Sequence, residues 1–350
     1  MEKIIYISCT RLDYSLNSVL IKGLRENNIQ ILDIHVMKGI PGLFKALSFY
    51  RRNLKGVKII ITGYNSQILV PWLKLLSRKK IIYNASLSEY ERMVISRKLA
   101  SPMSLKGIYY WFLDFIAVHF ADLTLLESEK QVDFFNKLFK VSKDKLYCHY
   151  VGCDEDKFYY DPSVLKPSVF TVMFRGAFMP EAGVEYIIKA AKILEDKGIN
   201  FTLIGGGLLT DKIEKIKRDL NPKNLKHITG HIPYDDLRKL MLQCHLSLGQ
   251  LSDHTRLTRT TPHKVFESLA MRLPYLTAPS SGVMEILTPE KNCLLCNSAD
   301  EKSLADKILW MKNNYSEAQR IAEDGYRLFD EKLRSKVTAL KFLSKLESLS

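Results

Sequence analysis

The sequence predicts an α/β fold: two consecutive Rossmann-like domains of about equal size, each a parallel sheet covered by helices on both faces. Three observations point there. Short β-branched runs alternate with helical segments along the whole chain. The rhythm breaks once, around Val151–Pro167, and then restarts. The length of 350 residues suits two domains at roughly 150 residues each. Strands separated by helices need crossover connections, which make a sheet parallel and bury both its faces.

In the first half, Ile4–Ser8, Ile31–Val36, Val57–Thr62, Ile81–Tyr83 and Leu123–Leu126 are apolar runs of strand length. Leu16–Arg25, Gly42–Leu54, Ser66–Leu76, Leu105–Phe120 and Ser128–Phe139 carry helical spacing between them. Gly152, two prolines and mixed charge mark Val151–Pro167 as a linker. In the second half the predicted strands are Val169–Phe174, Phe201–Ile204, His227–Thr229, Leu246–Leu248 and Tyr275–Ala278. The predicted helices are Gly183–Lys197, Asp211–Leu220, Asp235–Gln243 and Pro262–Ala270, then Ser303–Asn313, Ser316–Leu328 and Lys332–Leu349 at the end. Ligands in such sheets bind at the carboxyl ends of strands, beside helix N-termini, and two domains facing each other make a cleft.

Composition excludes several classes. Hydrophobic residues at 46% and charged residues at 26% are those of a globular chain, neither disordered nor a disulfide scaffold. The six cysteines are scattered; Cys293-Leu-Leu-Cys296 has the spacing of half a zinc site, but no second pair sits nearby, so buried thiols are expected and no metal. No stretch reaches the roughly 20 apolar residues of a membrane span, and Met1–Ser8 lacks a basic-then-apolar leader pattern. A reducing, cytoplasmic setting is expected.

Charge is less ordinary. The chain carries 52 Lys and Arg against 38 Asp and Glu, a net +14, and residues 1–160 hold 24 of the basic and 15 of the acidic groups. Such a field favours anionic partners: nucleic acid, nucleotides or acidic lipid headgroups. Nucleic acid fits poorly, for there is no zinc pattern, aromatic RNA-binding signature or basic recognition helix. Leu43–Arg52 and Trp72–Lys80 are amphipathic and basic. Either they rest on an anionic bilayer, peripheral to the inner face of the cell membrane, or they are core helices with a solvated basic rim.

Candidate chemistry lies mostly in the second half. Gly205–Gly207 ends a strand and opens a helix, as a phosphate or ribose loop or as a plain tight turn. Arg175-Gly176 ends the first strand of that half, ahead of the helix opened by Glu181-Ala182-Gly183; it suits a diphosphate, or a turn with a solvated arginine. Arg256, Arg259, His263 and Lys264 crowd together before and into helix Pro262–Ala270, with Thr260 or Thr261 as its cap. Basic groups at a helix N-terminus oppose the macrodipole and are explained more easily if an anion docks there. Glu267 sits on an otherwise apolar helix, as a ligand for sugar hydroxyls or as half of an internal salt bridge.

These residues form an ordered set. Phe-Arg-Gly-x-x-x-Pro-Glu-x-Gly183, Leu-Ile-Gly-Gly-Gly207, Thr-Gly-His-Ile-Pro233 and Pro262-x-Lys-x-x-Glu-Ser-Leu-Ala-Met-x-x-Pro274 resemble the donor-site motifs of family 4 retaining glycosyltransferases. Asp122–Ser128 and Val151–Asp154 through Phe158 resemble two steps late in the first domain of that family. The resemblance is strong over about residues 120–330 and weak before. It implies a GT-B architecture: an acceptor domain at 1–160, a nucleotide-sugar donor domain at 161–328, and a helix at 329–350 that packs back on the first domain. It implies metal-independent, retaining transfer from a UDP- or GDP-sugar, which is a substrate and not a cofactor, to a glycan or lipid-linked acceptor in cell-surface polysaccharide or glycoconjugate synthesis. By resemblance Glu267 binds the ribose, the turn ending at Ile232 reads the base through its backbone, and Gly205 and Gly207 line the donor.

Three positions depart from the pattern. Arg259 stands where the family has a first glutamate, eight residues before Glu267. Ala177 and Ala182 replace the arginine and lysine that neutralise the diphosphate. Arg175, Arg256, Arg259 and Lys264 are then expected to supply the missing charge, with Gly176, Thr260 and Thr261 beside the donor. On the first domain Arg11 and Glu89 are the candidate acceptor contacts, with Glu91 as an alternative to Glu89; a helix cap or surface charge is the competing reading of both acids. The same departures suit a second reading, a degenerate relative kept as a nucleotide-binding or partner subunit.

Overall fold

A computed structural model describes residues 3–348. In chain order the first elements are β1 (Lys3–Ser8), α1 (Ser15–Glu26), β2 (Gln30–His35), α2 (Ile40–Arg52), β3 (Val57–Thr62), α3 (Leu69–Ser77), β4 (Lys80–Ser86), α4 (Leu105–Phe120), β5 (Leu123–Leu126), α5 (Glu129–Phe139) and β6 (Leu146–Cys148). Then come β7 (Phe170–Arg175), α6 (Val184–Ile193), β8 (Ile199–Ile204), α7 (Thr210–Leu220), β9 (Leu225–Ile228), α8 (Tyr234–Leu242), β10 (Leu246–Leu248), α9 (His263–Ala270), β11 (Tyr275–Thr277), β12 (Leu294–Leu295), α10 (Glu301–Asn313), α11 (Tyr315–Lys332) and α12 (Ser335–Glu347).

The chain divides into two compact units, one running to Asp154 and resuming at Leu333, the other spanning Glu155–Lys332. Each holds a six-stranded sheet, ordered β2-β1-β3-β4-β5-β6 and β12-β11-β10-β7-β8-β9, with every pairing parallel. β6 and β12, edge strands of three and two residues, are absent from the strands read in the sequence. A short π-helical turn, Glu91–Ser96, was also not legible there.

In the first unit the β1→β2 step moves opposite to the later ones. Right-handed crossovers therefore put α1 on one face and α2–α5 on the other. The packing agrees: Ile5, Ile7 and Ile60 meet the α2–α5 layer, while Ile4, Tyr6 and Ile61 meet α1 and α12. Alternate residues of one strand thus serve both faces. α12 lies close on α1 at Gly23, where a β-carbon would stand 2.2 Å from the Ser335 carbonyl oxygen. Ser104 and Ser128 cap α4 and α5 through their hydroxyls.

The unit boundaries differ from those read in the sequence, for local reasons. Asp154 belongs to the first unit, 3.3 Å from Lys22 Nζ, whereas Phe158 is already buried in the second. α11 does not stop at Leu328, because its buried stripe of Ile321, Ala322 and Gly325 continues to Phe329. The following helix starts at Ser335, and its predicted end at Leu349 lies outside the described residues.

Candidate active site

The second sheet has one topological switch point. From β7 the chain steps outward to β8 and β9, then returns to β10 on the other side of β7. Loops leaving β7 and β10 diverge there and leave a crevice at the carboxyl ends of the strands.

β7 ends at Arg175 and β8 at the turn Gly205–Gly207. Gly205 has φ +139°, and a β-carbon on it would stand 2.1 Å from the Gly176 carbonyl oxygen, so no larger residue fits. The backbones then bond across: Gly176 N donates to Ile204 O at 2.9 Å, and Phe178 N to Gly206 O at 3.0 Å. His227 on β9 braces the turn. Its Nε2 lies 2.9 Å from Gly205 O, its Nδ1 lies 2.7 Å from Glu214 Oε1, and its ring stacks on Phe178. A recess of about 350 Å³ opens over these turns, lined by Arg175, Gly176, Ala177, Gly205, Gly230 and Ile232. Gly207 is in the same turn, at φ +156°.

α9 begins at His263 with Pro262 in the capping position. The expected caps do not act: Thr261 Oγ1 donates to Gly282 O at 3.2 Å, and Thr260 Oγ1 is buried without a hydrogen-bond partner among the described residues. Proline lacks a side-chain acceptor, so the first turn has no side-chain cap and no acidic residue. Such a terminus suits an external anion.

Two cations and one carboxylate meet beside it. Arg175 Nη2 forms an ion pair with Glu267 Oε2, the Glu267 side chain 5% exposed and that of Arg175 27%. The guanidinium carbon sits 5.4 Å from the centre of the Phe158 ring. Lys264 Nζ lies 3.7 Å from the centre of the Phe174 ring and 3.5 Å from Gln250 Oε1 on the loop after β10. Burial first, and the Arg175 guanidinium second, push the Lys264 ammonium down from 10.5 to about 7, against the pull of Glu267 and Glu181. A dianion placed here would restore its charge.

The other sequence candidates fall elsewhere. Arg259 is partly exposed, and its Nη1 donates to Thr258 Oγ1 at 3.2 Å. Arg256 is buried in an ion pair with Glu181, which ties its loop to the segment before α6. At the carboxyl edge of the first sheet, Arg11 is exposed and paired with Asp13. Glu89 is buried and held by Arg92 through two hydrogen bonds of 2.8 and 2.6 Å, and Glu91 accepts from Gln131 Nε2 at 2.6 Å. Carboxylates so enclosed hold their loop in shape.

Sequence reasoning missed Phe158, Phe174, Gln250 and His227 at the site, and Asp114 in the first unit. Asp114 accepts from Ser88 Oγ at 2.7 Å, Tyr90 N at 2.9 Å and Gln67 Nε2 at 3.3 Å. Burial pushes it up from 3.8 to about 7, opposed by those bonds. A lone acid in an apolar helix was the available signal. Among the described residues no group of three or more His, Cys, Asp or Glu is placed to hold a metal ion.

Residues 155–328 match the family model described as glycosyl transferases group 1. An uncharacterized glycosyltransferase of Methanocaldococcus jannaschii is 31% identical over 156 residues, 44% of this chain and 41% of that one. The capsular polysaccharide biosynthesis glycosyltransferase CapM of Staphylococcus aureus is 22% identical over 177 residues, 48% of this chain and 43% of that one. The matched stretches thus span less than half of either relative. Among solved structures, Anabaena HepE in complex with UDP-glucose superposes with a TM-score of 0.76 at 14% identity, covering 99% of this chain and 100% of that one. The sucrose-phosphate synthase of Thermosynechococcus elongatus gives 0.75 at 13% identity, covering 100% and 99%. The fold is therefore GT-B, with two Rossmann-like units, and the second unit carries the match to the group 1 glycosyl transferases.

Proposed function

We propose that this chain is a retaining glycosyltransferase that moves a hexose from a nucleotide-diphosphate sugar to a glycan or lipid-linked acceptor in cell-surface polysaccharide synthesis. The observation that carries the reading is the Arg175, Lys264 and Glu267 cluster, set beside an uncapped helix N-terminus at the switch point of the second sheet. The Anabaena neighbour was solved with UDP-glucose, which supports UDP as the nucleotide. The CapM relative supports a polysaccharide pathway.

In this reading Glu267 takes the ribose hydroxyls and Arg175 turns toward the diphosphate. Ile232 and its turn face the base. The bond from the anomeric carbon to the diphosphate oxygen breaks with its electron pair on the diphosphate. The acceptor hydroxyl forms the new bond on the same face, and its proton passes to the departing phosphate. Arg175 and Lys264 stabilise the charge that develops, and with them no metal is needed. A second reading, a degenerate relative that binds nucleotide without turnover, is favoured by Ala177, Ala182 and Arg259 standing where the resemblance expects other residues.

Thermal unfolding with UDP, GDP, ADP and CMP tests both. A nucleotide at 100 times its dissociation constant adds about 2.7 kcal/mol of stability. We expect that gain with UDP or GDP, and its loss in Glu267→Ala and Glu267→Gln. No gain with any nucleotide refutes a donor site. A gain without sugar transfer on addition of the UDP- or GDP-sugar and a lipid-linked glycan selects the second reading.

A further inference from the structure

One continuous stretch of the first unit concentrates both the charge and the exposed apolar surface of the molecule. Between Val36 and Leu113 the sequence holds fourteen Lys and Arg and only two acids, Glu89 and Glu91. Both acids are buried, so the surface of this stretch is almost purely cationic. The same stretch, less than a quarter of the chain, supplies thirteen of the twenty-three large hydrophobic residues exposed among the described residues.

The fold gathers these groups on one layer. α2, α3 and α4 cover the same face of the first sheet; Tyr50 OH of α2 donates to Ser77 O of α3, and Gln67 ahead of α3 bonds Asp114 of α4. On α4, Leu105, Ile108, Tyr109 and Phe112 are exposed at the i, i+3, i+4, i+7 spacing of one helix face, with Leu105 89% exposed. Ala117, Val118 and Asp114 are buried. α2 exposes Ile40 and Phe44, and α3 exposes Trp72, Leu75 and Leu76. Exposed cations accompany them: Lys45, Arg51 and Arg52 on α2, Arg78 after α3, Lys98 and Lys106 around the start of α4. Exposed apolar patches of this extent on a soluble domain mark an interaction surface.

We propose that the outer surface of the α2–α3–α4 layer docks on an anionic lipid bilayer, with α4 lying in the interface plane. The charge selects the partner. A cationic surface free of exposed acids repels a second copy of itself, and a bilayer rich in anionic headgroups meets both the cations and the apolar ridge. No helix among the described residues is long and apolar enough to cross the bilayer, so the contact is superficial. The sequence had pointed to α2 and α3; the structure adds α4 as the main apolar ridge. The inference stands apart from the donor site and does not depend on turnover.

Flotation of the full chain with vesicles tests it, comparing neutral phosphatidylcholine with a mixture containing about one third phosphatidylglycerol. Binding is expected only to the anionic vesicles, and raised salt should release it. Arg51→Gln with Arg52→Gln should weaken binding about fivefold per removed charge. Leu105→Ser, Ile108→Ser and Phe112→Ser combined should weaken it at least about tenfold. Leu165→Ser, which removes an apolar residue 82% exposed in the second unit, should change nothing. All variants are checked for an unchanged melting temperature, and if the α4 triple variant misfolds, the arginine pair decides alone. Absence of binding, equal binding to neutral vesicles, or a loss with Leu165→Ser equal to that of the α4 variant overturns the proposal. So does a lipid-free dimer abolished by the α4 changes, which would make a second copy the occupant.

Discussion

The two units share a topology and treat its switch point in opposite ways. In the first, the crevice between β1 and β3 is stitched shut by neutral groups. Asn17 Oδ1 accepts from Tyr6 OH and Tyr64 N, both at 2.9 Å, and its Nδ2 donates to Ser8 Oγ and Arg11 O, both at 3.0 Å. Asn84 Nδ2 donates to Tyr6 OH and Leu16 O, and Ser66 Oγ accepts from Cys9 N at 2.8 Å. In the second, the ends of β7, β8 and β9 carry a glycine-lined recess with Arg175 in its wall, and that arginine pairs with buried Glu267 on α9, the helix that follows β10, beside Lys264. Amides and hydroxyls that satisfy one another stabilise a fold. Two cations against one carboxylate leave an uncompensated charge whose desolvation is costly until an anion arrives. The first edge is built for rigidity and the second for a ligand.

The sharpest way to break this contrast is to remove the surplus charge. Arg175→Met and Lys264→Met should each lower turnover about 10²- to 10³-fold, the cost of losing one stabiliser of a departing anion. Steady-state release of the nucleotide measures it. Arg256→Met should instead act on folding, because it breaks the buried Arg256–Glu181 ion pair. If Arg256→Met lost turnover at full stability, the separation between ligand charges and structural charges would fail.

The complementary change is Asn17→Ala. It strands several buried donors and acceptors at about 1–3 kcal/mol each. Urea denaturation should show a loss of about 2–4 kcal/mol. The stabilisation that UDP adds should persist, because that site lies in the other unit. A donor affinity falling in step with stability would show the two edges to be coupled.

What the sequence disclosed follows the same division. The carboxyl edge of the second sheet was legible because glycine turns, a proline-led helix and clustered cations are local in sequence, each with a reason for its residue types. The strands and most helices were legible from period alone. The pairings were not. Arg175 and Glu267 lie ninety-two residues apart, and Arg256 looks as available as Lys264 until Glu181 is seen beside it. In the first unit the edge depends on single amides such as Asn17 and Asn84, which carry no motif. The exposed apolar face of α4 was not singled out, because periodicity does not say which side of a helix is covered.

The gentlest test uses pH, because the two units should titrate in opposite directions. Lys264 ionises at about 7 in the fold and at 10.5 when unfolded. Between those values the unfolded chain holds the extra proton, so stability rises with pH above 7. Asp114 ionises at about 7 in the fold against 3.8 unfolded, so the native chain holds the extra proton and stability falls as pH climbs from 3.8 to 7. Each slope is at most about 1.4 kcal/mol per pH unit. Together they place a minimum of stability near neutrality, measurable by calorimetry across buffers. Asp114→Asn should flatten the acid side alone, and Lys264→Met the alkaline side alone. Saturating UDP should act like the second change, because a bound diphosphate keeps the ammonium charged and shifts its titration upward. UDP affinity should accordingly fall with rising pH above 7, by up to about tenfold per unit. If UDP left the alkaline side unchanged, the anion would not be bound beside Lys264, and the role assigned to the second crevice would fail.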